Sequence, residues 1–372
     1  MMLVISGFFY FINLISAVLK RNSRLLIAII IIILILIASF PASTISDYFS
    51  YSYFYQNPLF QKSTFEFGYA LLSSLAHGLG FDYSTFRFAT FILGFSIFTL
   101  GISRYTKNLT MFLIFYIIYP FMDDIVQVRN FLTMSCVIMA STYLFRKNKT
   151  NWILYGLWII LGGSIHSSGY IYLLVIPIFY IFKLKYGRIF LLSLIPVLMT
   201  LSMIPSFRNI LSLIFELLPL SSDATQKLSG YLANRANSAF IPLWFIVIGM
   251  IVISIYNYKY YMNVRVDKMN IAQYDERERM YYTSICFMVL SGLLSSYLTV
   301  DLEFFRIIRN LYPVLIASSI SIYQQKKGSA NKLLYGIILF VLVLLSFVYF
   351  TIISARWTNI IIPAFQGNTI FK

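Results

Sequence analysis

Charged side chains are scarce in this chain. Asp, Glu, Lys and Arg make up 11% of its 372 residues, and histidine occurs twice. Cysteine also occurs twice, at Cys136 and Cys286, each inside an apolar segment. That placement argues against a disulfide and against a reactive thiolate. There is no C-x-x-C, no histidine cluster with metal-ligand spacing, no Walker A sequence and no G-x-G-x-x-G. An ATPase or a cytosolic nucleotide-sugar enzyme therefore has no basis here, and neither a metal nor another cofactor is expected. The apolar stretches also lack the period-2 alternation of a membrane barrel.

What the chain does have is apolar mass. Hydrophobic residues account for 59% of it, and the mean hydropathy is +0.79. A soluble protein of this length could not bury that much apolar surface, so lipid must solvate part of it. The apolar runs are rich in Ile, Leu and Phe and suit helices crossing a hydrocarbon core of about 30 Å. Because a helix satisfies its own backbone in lipid, the expected fold is all-α, a polytopic integral membrane helical bundle in one transmembrane domain over 1–372. Spans are predicted at 3–19, 24–40, 84–103, 108–122, 126–145, 151–165, 166–183, 187–203, 240–258, 280–300, 303–323 and 331–354, about twelve in all. The first run lacks a basic n-region with a cleavage site and reads as a retained span rather than a signal peptide.

The net charge of +16 would suggest nucleic acid in a soluble protein. Its distribution says otherwise. Basic clusters occur at Lys20, Arg21 and Arg24; at Arg104 and Lys107; at Arg146, Lys147 and Lys149; at Lys183, Lys185 and Arg188; in the 259–279 loop; and at Lys326, Lys327 and Lys332. They fall on every second connection. These regions hold 19 of the 29 basic residues and 4 of the 13 acids, a net of +15, and the opposite face holds a net of +1. The positive-inside rule assigns the basic connections, including the 259–279 loop, to the cytoplasm. The charge is thus a topology signal with attraction to anionic lipid, and no nucleic-acid partner is expected.

The irregular sequence lies on the outer side, in segments 41–83 and 204–239, which are expected to line the active site. Residues 66–80 are predicted as a short interfacial helix, 206–218 as an amphipathic one, and Ser221 to Ser238 as a polar loop. Asp47 and Glu66 stand in a nearly uncharged stretch crowded with tyrosines, among them Tyr51 and Tyr69. A carboxylate in such surroundings serves as a base or is simply solvated, and the tyrosines stack on sugar faces or form an interfacial belt. In Asp123-Asp124-Ile-Val-Gln127-Val-Arg129-Asn130, Arg129 falls about one turn inside the apolar zone. It either snorkels to headgroups or belongs to an anion site oriented by Asp124. His166 follows Gly162-Gly163-Ser164-Ile165 and precedes Ser167-Ser168-Gly169, small residues that permit close backbone approach. His77 reads as structural. Arg306 and Arg309 are spaced i,i+3 at an outer helix mouth, where two guanidiniums suit a pyrophosphate, or else pair with Asp301 or Glu303.

In this order, Asp47-x-x-x-Tyr51, Glu66-x-Gly68-Tyr69, Gln127-Val-Arg129-Asn130 after the acid pair, His166-Ser-Ser168 and Arg306-x-x-Arg309-x-x-Tyr312 resemble the EpsG-like family of Wzy-type bacterial polysaccharide polymerases. The resemblance covers roughly 45–315. One departure is Asn130, where the family commonly has Gln, which argues against a direct role for that side chain. The resemblance implies a membrane-embedded glycosyltransferase plan of the GT-C kind. It implies polymerisation of undecaprenyl-pyrophosphate-linked oligosaccharide repeat units at the outer face of the bacterial cytoplasmic membrane, alongside a chain-length regulator. Asp47, Glu66 and His166 are the candidate bases. Arg129, Arg306 and Arg309 would bind pyrophosphate, with Asp124, Gln127, Tyr51, Tyr69 and Tyr312 lining the substrate site.

Two other classes fit the composition. A lipid-linked oligosaccharide flippase should carry charge through the membrane depth and on both mouths, whereas mid-membrane charge here is nearly absent. An O-antigen ligase would share the outer arginines and differ in its acceptor. A membrane acyltransferase would need a donor site on the inner side, where the loops offer little.

Overall fold

A computed structural model describes residues 2–18, 23–57, 64–146, 148–216, 239–263, 271–326, 328–354 and 356–370. Within these residues the chain is helical and contains no strand. The polar loop expected at Ser221 to Ser238, the basic residues Lys20, Arg21, Lys147 and Lys327, and most of the 259–270 connection lie outside the described residues.

The helices are α1 (Met2–Val18), α2 (Arg24–Ser39), α3 (Tyr48–Gln56), α4 (Phe67–Gly78), α5 (Tyr83–Tyr105), α6 (Leu109–Ile118), α7 (Phe121–Val126), α8 (Val128–Tyr143) and α9 (Lys149–Ile165). After a 3₁₀ turn over Ser167–Leu174 come α10 (Val175–Ile181), α11 (Gly187–Leu201), α12 (Pro205–Glu216), α13 (Phe240–Asn263) and α14 (Ile271–Leu294). Then follow α15 (Phe305–Arg309), α16 (Tyr312–Gln325) and α17 (Ser329–Phe347), two π-helical stretches at Val348–Ile353 and Trp357–Ile361, and α18 (Ile362–Phe365).

Among the described residues, four helices are long and apolar enough to cross a membrane: Tyr83–Tyr105, Phe240–Asn263, Asp275–Thr299 and Ala330–Ile353. A fifth arises if Gly187–Leu201 and Pro205–Leu211, bent by 120°, count as one span. Shorter apolar helices, such as Arg24–Ser39 and Thr150–Ile165, fill other expected spans. The protein is an all-α polytopic membrane protein.

Hydropathy and burial run in opposite directions among the four long helices. Mean hydropathy falls from 2.8 to 2.1, 1.6 and 1.3 as the share buried inside the protein rises from 33% to 44%, 50% and 83%. A helix facing lipid must be apolar on its exposed side, while a helix enclosed by others is solvated by protein and tolerates hydroxyls and amides. The extreme case is α8. Every residue of it except Arg129 and Tyr143 is buried, including Asn130, Thr133, Ser135, Ser141 and Thr142. It packs between α5 and α9 at the centre of the bundle.

Besides 108–122, which divides at Tyr119-Pro120 between α6 and α7, two predicted spans are broken. The one at 166–183 begins as the 3₁₀ turn before α10, and the one at 303–323 is interrupted at Asn310-Leu311 between α15 and α16. Pro313 in the first turn of α16 and the engagement of the Asn310 side chain by Asn130 accompany the second break. α4 is twelve residues long, about 18 Å, too short to span. It exposes Phe67, Leu71, Leu75 and Leu79 on one stripe and buries Tyr69, Ala70, Ser73 and Ala76 on the other, as an interfacial helix requires.

Contacts define two ends of the bundle. At one, Arg104 donates to Thr142 and Arg279 to the Leu144 carbonyl, which brings together residues of the basic clusters. At the other, α4 meets the end of α9, and Arg87 joins α2, α5 and α7.

Candidate active site

The candidate residues gather at the end opposite the basic clusters, in two ion-pair clusters joined by residues 127–130. The chain breaks at Gln127 (φ −94°, ψ 66°), which ends α7 and precedes α8. From this short segment Gln127 reaches one cluster, Arg129 the other, and Asn130 the broken helix carrying Arg309.

The first cluster is built on Glu66. It stands at the start of α4 without capping it, so its carboxylate is available for tertiary partners. α4 can approach α9 closely because residue 68 is glycine. A Cβ there would lie 2.3 Å from Ser164 Oγ and 2.8 Å from the Ser164 carbonyl oxygen. Arg129 Nη1 donates to Glu66 Oε2 at 2.5 Å, and Arg129 Nε donates to the Tyr51 hydroxyl at 2.9 Å. The guanidinium stacks 4.4 Å from the centre of the Phe65 ring, with Tyr51 and Tyr69 at 5.5 and 5.8 Å. Glu66 Oε1 accepts from the Ser167 backbone N–H at 2.9 Å and lies 3.8 Å from His166 Nδ1.

His166 follows α9 and caps the 3₁₀ turn, its Nδ1 accepting from the Ser168 N–H at 3.3 Å and lying 3.1 Å from Ser168 Oγ. The reversal at His166 needs glycine at 169, where a Cβ would sit 2.6 Å from the Gly163 nitrogen. Burial pushes the Glu66 carboxyl up, but Arg129, then His166 and the Ser167 N–H, pull it down further, and it lies below the ordinary glutamate range. Arg129 and Glu66 keep 16% and 14% of their side-chain surface exposed, so the pair is reachable.

The second cluster is deeper. Arg309 Nη1 lies 3.1 Å from Asp123 Oδ2, and its Nη2 lies 3.6 Å from Asp124 Oδ1 and donates to Gln127 Oε1 at 2.7 Å. Asp124 accepts from the Tyr116 hydroxyl at 2.9 Å, and Arg356 donates to Asp123. Arg309, Asp123 and Asp124 are at most 3% exposed. Asn130 and Asn310 exchange two amide hydrogen bonds, 2.8 and 2.9 Å. Tyr172 donates to the Ile307 carbonyl at 2.6 Å, tying the chain after His166 to α15.

The structure thus brings Glu66, Arg129, Tyr51 and His166 together, and separately Asp124, Gln127 and Arg309. Asp124 pairs with Arg309 and not with Arg129, whose carboxylate partner is Glu66. Arg306 and Arg309 share one turn of α15 yet point to different acids. Arg306, 30% exposed, pairs with Glu303, so the two do not form one forked clamp in this state. Asp47 is exposed in a left-handed conformation (φ 63°); its carbonyl accepts from the Tyr51 N–H at 3.0 Å, but its carboxylate accepts from Ser46 Oγ and has no hydrogen bond to either cluster among the described residues. Tyr69 packs beside Arg129. Tyr312 is a core residue, edge-on to Tyr119 with its hydroxyl on Ser346. Asn130 serves the Asn310 pair. His77 is exposed against Tyr55.

Two arginines escaped the sequence reading. Arg356 follows the last span and completes the Asp123 pair. Arg87, 1% exposed, donates to the carbonyls of Ala38 and Ile125. An arginine five residues into a helix end carries the same signal of intramembrane charge that singled out Arg129.

No curated protein and no solved structure matches the chain. A family model described as the EpsG family does, over residues 24–363, a stretch that contains both clusters and Arg356 as well. With that match spanning most of its length, this all-α membrane protein belongs to the EpsG family.

Proposed function

We propose that the protein polymerises undecaprenyl-pyrophosphate-linked oligosaccharide repeat units at the outer face of the bacterial cytoplasmic membrane, as a glycosyltransferase of GT-C-like plan. The family membership supports a role in making polysaccharide. The observation that carries the chemistry is the Glu66–Arg129 pair with His166 at its shoulder.

A guanidinium binds a diphosphate through parallel charge-assisted hydrogen bonds, and two phosphate charges outcompete one carboxylate. The donor's pyrophosphate would therefore displace Glu66 from Arg129. Released from its cation, the Glu66 carboxylate becomes more basic while still within reach of the reacting groups. The acceptor hydroxyl then attacks the anomeric carbon of the growing glycan. The bond from that carbon to the phosphate oxygen breaks, the lipid pyrophosphate leaves with the electron pair, and the hydroxyl proton passes to Glu66. Arg129 stabilises the charge building on the leaving group, and Arg306, at the rim, takes the outer phosphate. His166 and Ser167 hold Glu66 from the far side. Asp123, Asp124 and Arg309 fix the 127–130 segment from below. Tyr51, Tyr69 and Phe65 offer ring faces to the sugar. A chain-length regulator would act as a separate partner.

The test supplies purified protein with one undecaprenyl-pyrophosphate repeat unit from the host's own glycan and no nucleotide. A product ladder from the wild type, absent with Arg129→Ala and with Glu66→Gln, is the expected result. Intact substrate with folded wild-type protein would overturn the reading and direct the next assay to ligation onto lipid A core or to transport across a liposome.

A further inference from the structure

A cavity of about 850 Å³ lies at the other end of the molecule, among the basic clusters. It is walled by the last turns of α5, α8 and α16 and by the early turns of α9 and α14. Among the described residues, four cations line it, Arg104, Lys107, Arg146 and Arg277, against one carboxylate, Glu276. That carboxylate is taken by Arg146, Nε to Oε1 at 2.6 Å. Arg277 has no ion pair or hydrogen bond among the described residues. Arg104 is held in place by one bond, Nη1 to Thr142 Oγ1 at 2.8 Å, and stacks 5.3 Å from the centre of the Tyr143 ring. Its other N–H groups have no acceptor among the described residues, and a guanidinium has five.

Part of this positive charge answers the carbonyl ends of the three helices that terminate here. Arg104 and Arg277, with no carboxylate partner among the described residues, leave an excess beside a cavity of small-molecule size that those partial charges do not balance. We propose that this cavity is a binding site for a phosphate-bearing anion of two or more charges, reached from the basic face and separate from the Glu66–Arg129 site. A soluble diphosphate and the phosphate headgroup of an anionic lipid share that chemistry. Arg104 and Arg277 are the residues that bind it, each through bidentate hydrogen bonds.

The test is equilibrium binding to the purified full chain in phosphatidylcholine nanodiscs, with UDP and inorganic pyrophosphate as soluble probes. A parallel arm reads photo-crosslinking of a phosphatidylglycerol analogue. Saturable binding of either kind that weakens at least about tenfold in Arg104→Ala/Arg277→Ala, a loss of about 1.4 kcal/mol, supports the site. The arm that responds names the source of the phosphate. Arg277→Lys, which keeps the charge but loses the fork, should bind more weakly than wild type and more tightly than the double variant, and an unchanged thermal midpoint controls for folding. No binding in either arm, or binding that survives the double variant and disappears in Arg129→Ala, overturns the proposal.

Discussion

At the end of the bundle that carries the candidate active site, Arg129, Arg306, Arg309 and Arg356 each meet a carboxylate, from Glu66, Glu303 and the Asp123–Asp124 pair. At the basic end, Glu276 pairs with Arg146, and Arg104 and Arg277 meet no carboxylate among the described residues. The difference teaches how each end treats an anion. At the first, an incoming phosphate must exchange with a carboxylate already in place, so binding rearranges the site and frees a base. At the second, it fills an unmatched field and need move nothing. Exchange suits a catalytic site, where the ligand's arrival should trigger chemistry. Simple filling suits a site that only binds.

The comparison breaks first at its most buried point. Arg309→Ala leaves Asp123 and Asp124 buried with Arg356 as their only remaining arginine, and the expected loss is about 3–5 kcal/mol of stability. It should appear as a much lower thermal midpoint or failure to express. An unchanged midpoint would show that the deep cluster is not structural. Next is Arg129→Ala, with an expected loss of polymerisation of 100-fold or more, about 2.7 kcal/mol or more in the transition state. Arg129→Lys should rescue little of it, because an ammonium cannot reproduce the fork or the stacking on Phe65. Full rescue would reduce Arg129 to a point charge.

Asn130→Ala should cost about 1–3 kcal/mol in thermal or denaturant unfolding by stranding the Asn310 amide, with a smaller effect on turnover. Glu66→Gln sharpens the comparison through pH. Because Glu66 is held below the ordinary range of about 4.3, its contribution is fully present above that value and is lost as pH falls through the lower folded value. The gap in thermal midpoint between wild type and Glu66→Gln should be constant at neutral pH and close only in acid, below about pH 4. A gap that closes near pH 6 would assign it to His166 instead. The smallest effect is expected at Arg146→Ala. This pair is 75% and 46% exposed, and its removal should change stability by less than about 1 kcal/mol.

Much of the architecture was legible because lipid imposes it. Apolar runs of spanning length, punctuated by basic clusters on alternate connections, place most of the helices, and α4 was readable as too short to span. The breaks in two spans were not legible, because a 3₁₀ turn after His166 and the interruption at Asn310 depend on partners more than 100 residues away. Of the site, the residues were readable and their pairing was not. Glu66 and Arg129 are 63 positions apart, and Arg309 and Gln127 are 182 apart. Spacing i,i+3 placed Arg306 and Arg309 on one helix face, yet burial differs so sharply across one turn that they answer to different acids.

The sequence by itself determined that this is a helical membrane protein, which of its faces is basic, and that its rare polar residues cluster in a few short motifs. Those follow from local composition, since each helix must satisfy its own backbone and present apolar atoms to lipid. Only the tertiary structure decided which carboxylate neutralises which arginine, that Asp47 stands apart, and that Arg356 joins the deep cluster. It also decided where a cavity of unmatched positive charge opens. A charge buried at intramembrane depth takes its stability from a partner within about 4 Å, and that partner is chosen by packing among helices distant in the chain.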